Sequence, residues 1–87
     1  MTETIKIIEF LGNLYVIRDN GISKISFYEE DDTYKISLRT YEPLNASEIC
    51  QHLGGGGHKG AAGCTLCGSI EEVKKQILDT LKDFLED

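Results

Sequence analysis

The chain has 87 residues, 40% of them hydrophobic and 28% charged, with a formal net charge of −6. Such a chain makes one soluble globular domain with a modest core. The acidic balance argues against broad, sequence-blind nucleic-acid binding, which needs many Lys and Arg contacts to phosphate.

The charge is uneven, so a single small anion site stays open. Glu29, Glu30, Asp31, Asp32 and the C-terminal segment carry most of the acid, whereas residues 51–69 contain no acidic residue and hold His52, His58 and Lys59. Three cysteines, an odd number, do not suggest a secreted disulfide framework. No signal peptide, transit peptide or membrane span is apparent, so a reducing cytoplasm is the expected setting.

In chain order, residues 2–11 read first as a short helix. Ile5, Ile8 and Leu11 recur at helical spacing and Thr2 is placed to cap it. The β-branched Ile7 and Ile8 keep a strand open as the alternative, and Gly12-Asn13 breaks the run. Residues 14–19 are apolar and β-prone, and Asn20-Gly21 is a strong hairpin signal, because both turn positions need φ > 0. In residues 22–28, Ile25 and Phe27 share a face with Ser23. After the acidic turn, Tyr34, Ile36 and Leu38 alternate with Lys35, Ser37 and Arg39. These runs predict a three-stranded antiparallel meander over residues 14–40. Arg39 then points away from the apolar face near a strand end, a place from which a guanidinium can grip phosphate in bidentate fashion. Ser37 and Thr40 are weaker hydroxyl candidates, and Arg18 reads as surface.

Asn45 with Glu48 three residues later forms a capping-box pattern for a short helix over residues 46–53, with Ile49 and Leu53 on its core face. Gly54 suits the left-handed position that ends it. The run Gly54-Gly55-Gly56-Gly57-His58-Lys59-Gly60-Ala61-Ala62-Gly63 follows. Glycine loses the most backbone freedom on folding, so four in succession need an offsetting gain. Read as a flexible loop tip, the run carries no function. Read as an anion nest, Gly55, Gly56 and Gly57 offer N–H groups to a phosphate, His58 donates at the mouth and Lys59 adds a charge. Ala61 and Ala62 suggest a short helix opening after the loop, whose N-terminus would favour the same anion.

Cys64 and Cys67 have Cys-x-x-Cys spacing, but the segment reads as a short strand and turn. Buried thiols are preferred to a zinc or redox site. Ser69 caps a last helix with Glu71 and Glu72 in its first turn. Its apolar stripe, Ile70, Val73, Ile77, Leu81 and Phe84, widened by Leu78 and Leu85, predicts a core-packing helix. The resulting fold is α+β. A small mixed sheet with an N-terminal antiparallel meander is covered by two or three helices, and the Gly-rich loop sits at one end beside Arg39.

The Gly54 to Gly63 run resembles the GGGGHxxAAG signature of the DHH-associated domain, first type, which follows the catalytic domain in DHH-family phosphoesterases. The stretch Lys35-Ile36-Ser37-Leu38-Arg39-Thr40 resembles the companion strand of that domain, usually ending S-x-R-S; Thr40 replaces the commoner serine. The resemblance covers roughly the whole chain, nearest to the nano-RNase/pAp-phosphatase group and next to RecJ-type exonucleases. It implies a substrate-binding domain for a nucleotide or short single-stranded oligonucleotide. Arg39, Gly55, Gly56, Gly57, His58 and Lys59 would hold phosphate. Catalysis would lie in a DHH domain in cis or trans that carries manganese. With two histidines and no Asp-His-His run, this chain is expected to hold no metal or cofactor and to be inactive alone. No membrane partner is implied. The alternative is a stand-alone nucleotide-binding module, and a third reading gives the glycines a packing role only. The alanyl-tRNA synthetase C-terminal domain is a distant relative whose Gly run lacks this ending, so tRNA binding ranks low.

Overall fold

A computed structural model describes residues 5–18, 21–41 and 44–85. Four strands run up and down at the start: β1 (Lys6–Phe10), β2 (Asn13–Arg18), β3 (Gly21–Glu30) and β4 (Thr33–Arg39). Helix α1 (Ala46–Gln51), the two-residue strand β5 (Gly56–Gly57), strand β6 (Ala61–Cys67) and helix α2 (Ile70–Leu85) complete the chain. The sheet order is β1-β2-β3-β4-β6-β5. The α+β class, the meander and the two covering helices are as expected. Where a mixed sheet was expected, every pairing among the described strands is antiparallel.

The meander has four strands, not three, because the N-terminal segment is a strand and not a helix. Its residues pair from Lys6↔Ile17 to Phe10↔Asn13. The two-residue turn between them is Leu11-Gly12, with φ of 51° and 80°. Positive φ at both central positions matches the twist of a hairpin. Helical spacing of Ile5, Ile8 and Leu11 was a weaker signal than β-branching plus this turn, since β1 gains its hydrogen bonds from β2 while remaining exposed along its length. The second hairpin is also displaced from expectation. Arg18 pairs with Gly21, so Gly21 begins β3, and residues 19 and 20 lie outside the described residues.

One face of the sheet is covered. Leu14, Val16, Ile25, Ile36, Leu38, Cys64 and Leu66 point into a core completed by Ala46, Ile49 and Cys50 of α1 and Val73, Ile77, Leu81 and Leu85 of α2. Both helices start on caps read from sequence. The Glu48 N–H donates to Asn45 Oδ1 at 3.2 Å. At α2, Glu72 N–H donates to Ser69 Oγ and Ser69 N–H donates back to Glu72 Oε1, a complete capping box. Arg18, expected at the surface, is half-buried, and its guanidinium donates to the Leu85 carbonyl at the C-terminal end of α2. A cation there complements the helix dipole.

Candidate functional site

The residues after the glycines form a strand, not a helix. Ala61–Cys67 is β6, and residues 58–61 make a tight hairpin from β5 into it. The His58 N–H donates to the Ala61 carbonyl at 2.8 Å, and the Ala61 N–H returns to the His58 carbonyl at 3.2 Å. The loop therefore opens into a strand and not into a helix N-terminus of its own. The small residues serve sheet formation: Gly63 lies opposite Ser37, and a Cβ on Gly63 would stand 2.9 Å from the Ile36 carbonyl oxygen.

The glycines divide by role. Gly54, at φ +84°, ends α1 in the left-handed conformation expected of it. The Gly55 N–H donates to the Cys50 carbonyl at 2.8 Å, and a Cβ there would sit 2.1 Å from the Gly63 carbonyl oxygen. Gly55 is thus required by backbone packing, and its amide is already engaged. Gly57, at φ +152°, would drive a Cβ to 2.6 Å from Ala62 Cα. Gly56 has open space at its Cβ position. Since His58↔Ala61 is a hydrogen-bonded pair, the next pair, Gly57↔Ala62, is a non-hydrogen-bonded one, which turns the N–H and C=O of Gly57 toward the sheet edge.

The hairpin tip is tied down from two sides. Thr40 N–H donates to the Gly60 carbonyl at 3.1 Å, and Ala46 N–H donates to the Lys59 carbonyl at 2.7 Å. The Thr40 hydroxyl lies within 3.4 Å of the Lys59 carbonyl and 3.3 Å of that of Leu44. Thr40 is 6% exposed, so its hydroxyl works inside the fold, anchoring the tip to the end of β4. Ser37 is exposed, on the same face as Arg39.

Antiparallel register gathers the remaining candidates. Tyr15, Lys24, Arg39 and Ala61 lie directly opposite one another across β2, β3, β4 and β6, and the hairpin places His58 beside Ala61. Side chains in such a row share a face, here the one without helices. With strands about 4.8 Å apart, Arg39 and His58 stand roughly 10 Å apart along the row, with only the Ala61 methyl between them. His58, Lys59 and Arg39 are all exposed.

Two residues that pattern reading passed over join this row. Lys24 is the direct cross-strand neighbour of Arg39, and Tyr15 that of Lys24. With Ile22 and Tyr41 they line a groove of about 440 Å³ on the open face. Lys24 sits on the polar phase of β3, which was legible. That it meets Arg39 depends on register, which alternation alone does not supply.

The cysteines separate. Cys64 faces the core beside the buried Cys50, while Cys67, three residues along the strand, is exposed on the other face. The hydrogen bond with Cys50, together with burial, pushes the Cys64 thiol well above its ordinary range. Among the described residues, no three His, Cys, Asp or Glu side chains group to hold a metal ion, and no helix is long and apolar enough to cross a membrane.

The DHHA1 domain family matches residues 3–87. The bifunctional oligoribonuclease and PAP phosphatase NrnA of Thermus thermophilus is 28% identical over 78 residues, covering 88% of this chain and 24% of that protein. The chain thus spans about a quarter of that relative's length. The family match runs over nearly the whole chain, and the Gly-rich hairpin and the Arg39 strand adjoin in one sheet; the chain belongs to the DHHA1 domain family, the domain associated with DHH-type phosphoesterases.

Proposed function

We propose that this domain holds the phosphate of a nucleotide or short single-stranded oligonucleotide for a DHH catalytic domain. The observation that carries the reading is the row on the open face: Arg39 and His58 flank Ala61 at the foot of the tethered Gly hairpin. A phosphate laid over Ala61 meets a guanidinium on one side and an imidazole on the other. The small residues between them let it approach the backbone. Arg39 supplies a fixed fork of donors. His58 adds a donor, Gly56 and Gly57 give a close backbone edge, and Ser37 and Lys59 stand at the periphery. Gly55 and Thr40 act one step back, by holding the hairpin in place.

On this reading the domain contributes positioning. A substrate anchored here presents its scissile phosphate in a fixed geometry, which replaces a costly loss of freedom at the reaction step. Hydrolytic chemistry belongs to the DHH domain and its manganese ions. The three free cysteines fit a reducing cytoplasm. The relative named as an oligoribonuclease and PAP phosphatase supports short RNA and adenosine bisphosphate as the ligands to try first.

The test is amide NMR of the 87-residue chain titrated with adenosine 3′,5′-bisphosphate and short oligoribonucleotides. Shifts should centre on residues 39 and 56–59 and vanish in Arg39→Ala and His58→Ala. Unchanged spectra at millimolar ligand, or shifts confined to the helices, would sink the proposal.

A further inference from the structure

The groove beside Arg39 asks for an occupant. Lys24 and Arg39 are directly opposed across β3 and β4, and like charges in that relation destabilise a sheet. Among the described residues neither has a carboxylate partner, and no described acidic side chain lines the groove. Bridging by an anion relieves this repulsion. The groove also carries rings at its margins: Tyr15, half-buried, lies one strand beyond Lys24, and Tyr41, 68% exposed, follows Arg39 by two residues. Ile22 supplies an apolar floor. Paired cations with flanking aromatic faces suit a chain that alternates phosphates with flat bases.

We propose that the Tyr15–Lys24–Tyr41 groove is a second subsite, which takes the next nucleotide of a single-stranded chain whose first phosphate sits at Arg39 and His58. The assignment rests on the phosphate site above and extends it. The row from His58 to Tyr15 spans four strand spacings, roughly 19 Å. A stacked strand rises only about 3.4 Å per nucleotide, so the row is longer than a single nucleotide can span. Lys24 and Arg39 share the phosphate that links the first nucleoside to the second, and a base stacks on Tyr15 or Tyr41. A duplex hides its base faces from such rings, so the occupant is single-stranded. The domain therefore favours oligonucleotides over mononucleotides.

Calorimetric titration of the chain with adenosine 5′-monophosphate and with the 5′-phosphorylated dinucleotide pApA tests this. The dinucleotide should bind roughly tenfold tighter, the scale of one stacked base. Lys24→Gln should bring the ratio of the two affinities toward one. It should also flatten the salt dependence of dinucleotide binding by about 0.7 in log–log slope, the contribution of one phosphate contact on a single strand. Tyr15→Leu, which keeps the half-buried position apolar, should lower the ratio without changing the slope. Lys82→Gln, an exposed position on α2 away from this face, should change neither. Equal affinities for the two ligands, or a ratio and slope untouched in Lys24→Gln, would overturn the second subsite while leaving the phosphate site intact. Absence of binding by both ligands would overturn both.

Discussion

The two faces of this sheet are built from the same strands and do opposite things. Along β4, Ile36 and Leu38 enter the core while Ser37 and Arg39 stand in solvent. Along β3, Ser23 and Ile25 are buried while Ile22 and Lys24 are exposed. The covered face is apolar and held by two helices. The open face carries Tyr15, Lys24, Arg39 and the glycine hairpin. Period-two alternation lets one strand serve both, but at a cost in register: a slip by one residue would exchange the faces entirely. Packing on the covered side therefore fixes the geometry of the open side.

The sharpest break in that comparison comes from substituting neighbours in β4. Leu38→Ala removes a fully buried side chain and should cost about 2–5 kcal/mol in denaturant unfolding. Arg39→Ala, the next residue on the exposed face, should shift stability by no more than about 0.5 kcal/mol while removing ligand binding. If both proved equally destabilising, Arg39 would be a structural residue and the division between faces would fail.

Within the loop, Gly55 and Gly56 make a second contrast. Gly55→Ala forces a methyl into the Gly63 carbonyl and should cost about 1–3 kcal/mol or more. Gly56→Ala meets open space and should leave the unfolding midpoint nearly unchanged while weakening phosphate binding. A stable Gly55→Ala variant would refute the packing role assigned to that glycine.

The smallest effect lies at the start of α2. Hydrogen bonds from the Ser69 amide and hydroxyl positions hold the Glu72 carboxyl below its ordinary range. A depressed folded-state value stabilises the chain above the unfolded-state value and loses that contribution as pH falls through the folded one. Glu72→Gln should therefore lower the melting temperature slightly near neutrality, where that contribution is fully present, and converge with the parent chain in acid, so that the acid-side decline is flatter. An unchanged acid limb would mean the capping carboxylate contributes nothing to stability.

Much of the fold was legible. The stripe of Val73, Ile77 and Leu81, the caps at Asn45 and Ser69, and the alternation of β4 are local patterns set by residues a few positions apart. The N-terminal strand was misread because Ile5, Ile8 and Leu11 also satisfy helical spacing, and the deciding contact, pairing with β2, is made by residues up to eleven positions away. The candidate site was half legible. The motif marked Arg39 and His58 but could not show that Ala61 alone separates them, or that Lys24 and Tyr15 extend the row.

Sequence by itself determined which residues of β3, β4 and α2 seek the core, where α1 and α2 begin, and which glycines stand beside a histidine, because those depend on short-range propensity and periodicity. Tertiary structure alone decided that β6 inserts between β4 and β5, which brings the glycine hairpin to Arg39 and engages the Gly55 amide inside the fold. The physical reason is that cross-strand register depends on contacts between distant segments, and no local pattern specifies which strands will meet.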